Sequence, residues 1–385
     1  MDRVSILIIS TLFTLPVFAQ HNTYYVGHSG FGWDLIVGEM VNDLAADANI
    51  TTYDYGFQFI GGTCISNQWM SHADPQGGTD SHVELATGNY DMLVLAEQIP
   101  IQEVINGSPW GCDLTSVESI DNYYDLALGA NPTTRVYLME FHNEVDLTQN
   151  DPYGSWISLN AQMRPLWEQV VNDVNSNNSG SEIHIVPVAA AFQEMAERVR
   201  AGTFPGISDW QELFDPNDEP QATIHPTEIT YYMVACVHFA TLFGQSPVGL
   251  TNETIAAAGW PFDPPTPDQA LVMQEIAWNV VSNDDFSGVN TTVTNLPESY
   301  NPRSKMHVKV SPNPIYNRYS IDFLGKDLNN ASIFITNLSG QTVFSYDGID
   351  GSDINLERGS LPNGMYIYTI WQETNLIAKG KLSFK

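Results

Sequence analysis

A serine and a histidine far apart in this chain have the surroundings that acyl-transfer chemistry needs. Ser29 stands in Gly27-His28-Ser29-Gly30, on the turn after a short β-forming run, and His225 stands in Ile224-His225-Pro226-Thr227-Glu228, just ahead of a helical pattern. A serine hydroxyl is a weak nucleophile until a nearby base takes its proton, and a late-loop imidazole is a common base for an early-loop serine. Glycines at 61 and 62 let backbone N–H groups approach a developing oxyanion closely, and the Gln98 amide offers a further donor. Each residue also has a plain structural reading: a turn serine, a helix-start histidine, turn glycines, a hydrogen-bonded glutamine.

The elements that would bring these residues together follow from the hydrophobic pattern. From Asn22 to about Val248, β-rich runs alternate with helical ones, the sign of a parallel sheet covered by helices. Strands are expected at Thr23 to Val26, Thr52 to Ile60, Asp91 to Ala96, Arg135 to Glu140 and Glu182 to Val188. Helices are expected near Trp33 to Ala46, Ser119 to Leu128, Trp156 to Val174, Ala189 to Arg200 and Glu228 to Phe243. Thr266-Pro267-Asp268-Gln269 has the cap, proline and glutamine that open one more helix through Val281. In an open parallel sheet, functional groups gather beyond the carboxyl ends of the strands. Ser29, Gly61, Gly62, Glu97 and Gln98 follow the first three strands, and Glu140 and His142 follow the fourth, within reach of a substrate on the same edge.

Gly27-His28-Ser29, Gly61-Gly62-Thr63, Glu97-Gln98 and Ile224-His225-Pro226, with Ala235 to Leu242 behind it, resemble the four blocks of the SGNH/GDSL hydrolase superfamily over roughly residues 22 to 248. The resemblance implies a flavodoxin-like three-layer α/β fold, Ser29 as nucleophile and His225 as base. It also implies an oxyanion hole from the N–H groups of Ser29 and Gly61 or Gly62, with Gln98 at the third-block position. The family's aspartate three residues before the histidine is replaced by Ala222, and its Asp before the serine by His28. Asp218 or Glu219 stands as the orienting acid, or a backbone carbonyl holds the imidazole of a Ser-His dyad.

Charge and cysteines bound the remaining possibilities. The formal net charge is −31 over 385 residues. Nine of the 14 Lys and Arg lie between Arg303 and Lys385, and only Arg135, Arg164, Arg198 and Arg200 fall between His21 and Pro302. So acidic a region lacks the basic footprint that nucleic acid or an anionic membrane requires. Of Cys64, Cys112 and Cys236, the first two lie in loop-like sequence and are the preferred disulfide pair; Cys236 sits in an apolar helical run. No Cys-x-x-Cys, His-Glu-x-x-His or Asp-x-Asp-x-Asp-Gly spacing occurs, so neither metal nor cofactor is expected. His72, His82, His142 and His184 read as surface or satisfied groups.

Residues 1–19 have the layout of a secretory signal peptide, with Arg3, an apolar stretch and Val17-Phe18-Ala19. That stretch is too short to span a membrane, and no later run approaches the roughly 20 apolar residues needed. The expected domains are thus a leader at 1–19, an α/β domain at 20–282, a polar linker at 283–304 and an all-β sandwich at 305–385. In that last region, Ser311-Pro312-Asn313-Pro314, Asn337 to Gln341 and Leu361 to Tyr366 resemble the type A sorting domain of the type IX secretion system. The resemblance implies export across the outer membrane by that machinery. The sum is a secreted serine esterase for a small acyl ester, with acetylated carbohydrate as the favoured substrate and Trp33, Trp69 and Trp110 as candidate sugar-stacking residues. The alternative is a carbohydrate-binding or surface protein on the same scaffold without turnover.

Overall fold

The computed structural model describes residues 21–32, 35–50, 53–107, 111–254, 264–289, 308–311, 315–323, 327–337, 342–359, 361–372 and 375–385. It divides into two units, Met1–Thr291 and Thr292–Lys385, each with its own apolar core. The leader at 1–19, Trp33, Trp110 and residues 290–304 of the expected linker lie outside the described residues.

The first unit runs β1 (His21–Gly27), α1 (Ile36–Asp47), β2 (Tyr53–Phe59), α2 (Ile65–Met70), β3 (Gly77–Gly78), α3 (Ser81–Leu85) and β4 (Met92–Ala96). It continues with α4 (Ile101–Val104), α5 (Ser116–Ala130), β5 (Arg135–Glu140), β6 (Val145–Asp146), α6 (Pro152–Asn177), β7 (His184–Pro187), α7 (Val188–Arg200), β8 (Ala222–Thr223), α8 (Glu228–Phe243) and α9 (Pro267–Asn283). The sheet order is β3-β2-β1-β4-β5-β7, all parallel except the short edge strand β3. This is the flavodoxin-like α/β architecture, with an antiparallel edge that strand patterning did not predict. The central strands are apolar throughout because both faces are covered: Tyr24, Tyr25, Val26 and Met92 to Ala96 are all fully buried. β2 follows β1 on one side and β4 flanks β1 on the other, so the chain reverses direction across the sheet at the β1/β4 crevice.

Local signals set the helix ends. Thr115 and Glu118 form a capping box at α5, and Thr266 and Gln269 form another at α9 with Pro267 in the first turn. α8 is buried at every position from Thr230 to Leu242 and ends at Gly244, whose φ of 61° is the left-handed conformation that glycine adopts at low cost. α1 begins at Ile36 rather than Trp33, because the chain first makes a 3-10 turn over Ser29–Phe31. The polar stretch expected to start a linker at 283 instead stays on this unit as far as Val289. Asp284 pairs with Arg164, and the Phe286 carbonyl accepts the N–H of Ile185. Cys64 and Cys112 are disulfide-bonded, and Cys236 is free and buried.

The second unit is a sandwich of two antiparallel sheets. One is β13 (Asp353–Glu357), β10 (Arg318–Asp322) and β9 (Lys309–Ser311); the other is β12 (Thr342–Gly351), β11 (Leu328–Thr336), β14 (Gly364–Gln372) and β15 (Asn375–Phe384). Ile321, Ile333, Ile335, Ile370 and Leu382 are fully buried between them, the alternation that two packed sheets demand.

Candidate active site

Ser29 projects from the turn that ends β1. Gly27 makes that turn possible: a Cβ there would stand 2.6 Å from the Phe31 ring and 2.7 Å from the Cβ of Ala96 on β4. His28 closes the turn. Its Nδ1 accepts the N–H of Gly30 at 3.2 Å, and its Nε2 donates to the Glu97 carbonyl at 3.0 Å. Burial lowers the His28 pKa, which agrees with a neutral ring holding one donor and one acceptor. From the far side, the Tyr231 hydroxyl of α8 donates to the Ser29 carbonyl at 2.8 Å.

His225 lies on the loop before α8, which folds back on itself. Phe214 bridges Pro226, the Asp215 N–H donates to the His225 carbonyl, and β8 pairs with β6. This fold-back sets the Ser29 hydroxyl 3.0 Å from His225 Nε2 and the other ring nitrogen, Nδ1, 2.6 Å from Asp218 Oδ1. Asp218 Oδ2 in turn accepts the N–H of Ile224, the N–H of His225 and the Thr223 hydroxyl. Burial alone would raise the Asp218 carboxyl, but those donors and the imidazole hold it below the usual carboxylate range. The carboxylate therefore comes from Asp218, seven residues ahead of the histidine. Glu219 does not take that place, and no backbone carbonyl is needed to hold the ring.

The candidate oxyanion donors are distributed differently from the simplest expectation. The Gly61 N–H donates to Gln76 Oε1 at 2.9 Å, so this donor is engaged by a side chain of the loop before β3. Gly62 is exposed with φ 63°, and the Gln98 side-chain amide makes no hydrogen bond among the described residues. Beneath them, Gln68 joins the two loops: its Nε2 donates to the carbonyls of Gly27 and Ile60 and to the Thr63 hydroxyl. Gln68, Gln76, Tyr231 and the carboxyl of Glu97 were not legible as site residues, since each works through a contact distant in sequence.

Glu140 and His142 are both buried. Glu140 is buried against Arg164 at 2.6 Å, and His142 is fully buried, ringed by Phe141, Trp156, Phe192 and Phe214, with burial pushing its pKa down to about 4. Trp69 packs on Tyr123 and His82 rather than standing free, and His72 stacks on His82 at 3.5 Å. Among the described residues no cluster of His, Cys, Asp or Glu could hold a metal ion, and no helix is long and apolar enough to cross a membrane.

Residues 309–383 match the family of the secretion system C-terminal sorting domain. The chain is an exported protein. A tail of this family marks proteins carried by the type IX system to the cell surface or beyond it. No curated protein matches the chain. Among solved structures, a DUF4886 family protein from Bacteroides uniformis aligns over 68% of this chain and 95% of its own at 14% identity and a TM-score of 0.46. An acetylxylan esterase from Geobacillus stearothermophilus aligns over 59% of this chain and 96% of its own at 12% identity and 0.36. A phospholipase A1 from Streptomyces albidoflavus aligns over 58% and 98% at 13% identity and 0.35.

Proposed function

We propose that the first unit is a serine esterase in which Ser29, His225 and Asp218 form the catalytic triad. The observation that carries this reading is the continuous chain of hydrogen bonds from the Ser29 hydroxyl to His225 Nε2 and from His225 Nδ1 to Asp218, at 3.0 and 2.6 Å. Asp218 stays ionised and holds the tautomer in which Nε2 accepts the Ser29 hydroxyl. His225 takes the Ser29 proton as the hydroxyl oxygen attacks the acyl carbon. It then gives that proton to the departing alkoxide, which leaves as the alcohol. A water deprotonated by the same ring attacks the acyl-serine, and the carboxylic acid departs as Ser29 regains its proton. The Ser29 N–H, the Gly62 N–H and the Gln98 amide supply the oxyanion donors, the Gly61 N–H being held by Gln76. Acetylated carbohydrate is the substrate class that suits an exported enzyme of this kind.

A fluorophosphonate probe tests the reading. Labelling and p-nitrophenyl acetate hydrolysis are expected in the full chain and should vanish in Ser29→Ala. A folded wild-type chain that neither labels nor hydrolyses, yet is retained on a glycan column, would instead be a binding protein on this scaffold.

A further inference from the structure

Glu97, at the end of β4, is 1% exposed. Its Oε1 accepts the N–H of Ile65 at 3.0 Å and of Gln98 at 2.8 Å, and its Oε2 accepts the hydroxyl of Ser116, the first residue of α5, at 2.7 Å. Its backbone carbonyl accepts from His28 Nε2. One residue is thereby bonded to the turn that carries Ser29, to the segment that follows Gly61 and Gly62, and to the Gln98 backbone.

Among the described residues no cation pairs with the carboxyl. The four arginines among the described residues of this unit are engaged elsewhere: Arg135 with the Leu242 carbonyl, Arg164 with Glu140, Glu168 and Asp284, Arg198 with Glu194, and Arg200 with Glu197. The titratable side chain bonded to Glu97 is His28, which is held neutral. A buried carboxyl without a counter-charge is costly, and an apolar residue would pack the same space more cheaply. What it provides in return is two backbone N–H groups, from loops after different strands, fixed on a single oxygen.

Building on the esterase reading, we infer that Glu97 is the positioning residue of the site: its side chain sets the spacing of the glycine loop and the Gln98 loop around Ser29, and so aligns donors in the transition state without touching substrate. Only the acceptor oxygens are needed for this. A glutamine in the same rotamer keeps Oε1 for both N–H groups, and its amide can donate to the Ser116 hydroxyl oxygen.

The test is steady-state kinetics of the full chain on p-nitrophenyl acetate, with thermal melts, for wild type, Glu97→Gln, Glu97→Met and Ser29→Ala. Glu97→Gln should stay within about threefold of wild-type kcat. Glu97→Met, if folded at the assay temperature, should lose on the order of a hundredfold in kcat with KM nearly unchanged, the scale of a misplaced oxyanion donor. A folded Glu97→Met with kcat within threefold overturns the proposal, and so does a rise in KM at constant kcat, which would mean substrate contact. If the methionine variant does not fold, a loss above tenfold in Glu97→Gln still overturns it, because the charge rather than the geometry would then be in use. Activity that survives in Ser29→Ala removes the underlying nucleophile assignment instead, whatever the Glu97 variants do.

Discussion

At the scale of single residues, the site depends on groups whose charge state is set by their neighbours. Asp218 takes four hydrogen bonds, and an amide in its place would present a donor to His225 Nδ1 and disfavour the productive tautomer. Asp218→Asn should therefore lower kcat by on the order of 10³- to 10⁴-fold while leaving the melting temperature nearly intact, as kinetics and melts on one preparation would show. Glu97 makes the opposite kind of prediction. Burial pushes its pKa up to about 7 from an ordinary 4.5. Its stabilising contribution is thus complete below about pH 4.5 and is lost as pH rises through about 7, a change of at most about 3 kcal/mol. Between pH 5 and pH 8 the wild type should lose melting temperature relative to Glu97→Gln; parallel curves for the two proteins would refute this. Ser29 and His225 were legible in the sequence because each sits at a punctuated turn beside a periodic element. Asp218 was one of several options, because only the return of the loop onto Pro226 brings it under the imidazole.

At the scale of elements, the long periodic segments were readable and the short ones were not. Helices α5 to α9 and strands β1, β2, β4, β5 and β7 have patterns long enough to declare a period. β3, β6 and β8 are two residues each, and no alternation can be seen in two residues. In the tail, most of β12 is exposed, so its sequence carries little apolar alternation. The Cys64–Cys112 bridge acts at this scale as well. It closes a 48-residue separation from the start of α2, next to the glycine loop. Loop-closure entropy assigns such a bridge about 4 kcal/mol. Reduction, or the paired change of both cysteines to serine, should lower the unfolding midpoint in urea and lower kcat by loosening the loop that holds Gly61; an unchanged midpoint would show that the bridge is dispensable.

At the scale of the molecule, the two units have separate cores with no shared member. Deleting residues 309–383 should leave kcat and KM on a soluble ester within about twofold while abolishing export in a type IX-competent host, followed by activity in lysate and medium. A kcat that falls with the deletion would contradict independent units. The cations crowd into the last part of the chain, on the second unit. The reach of the first unit to Val289 was not legible in the sequence, since polar residues that bind Arg164 and Ile185 look locally like spacer. The arginines of that first unit also bear on where the protein can stay. Each of those among the described residues is tied to a partner, and the unit is strongly anionic. Near a phosphate-rich envelope so anionic a body is repelled, so removal of the tail after export should shift the first unit from the cell to the medium.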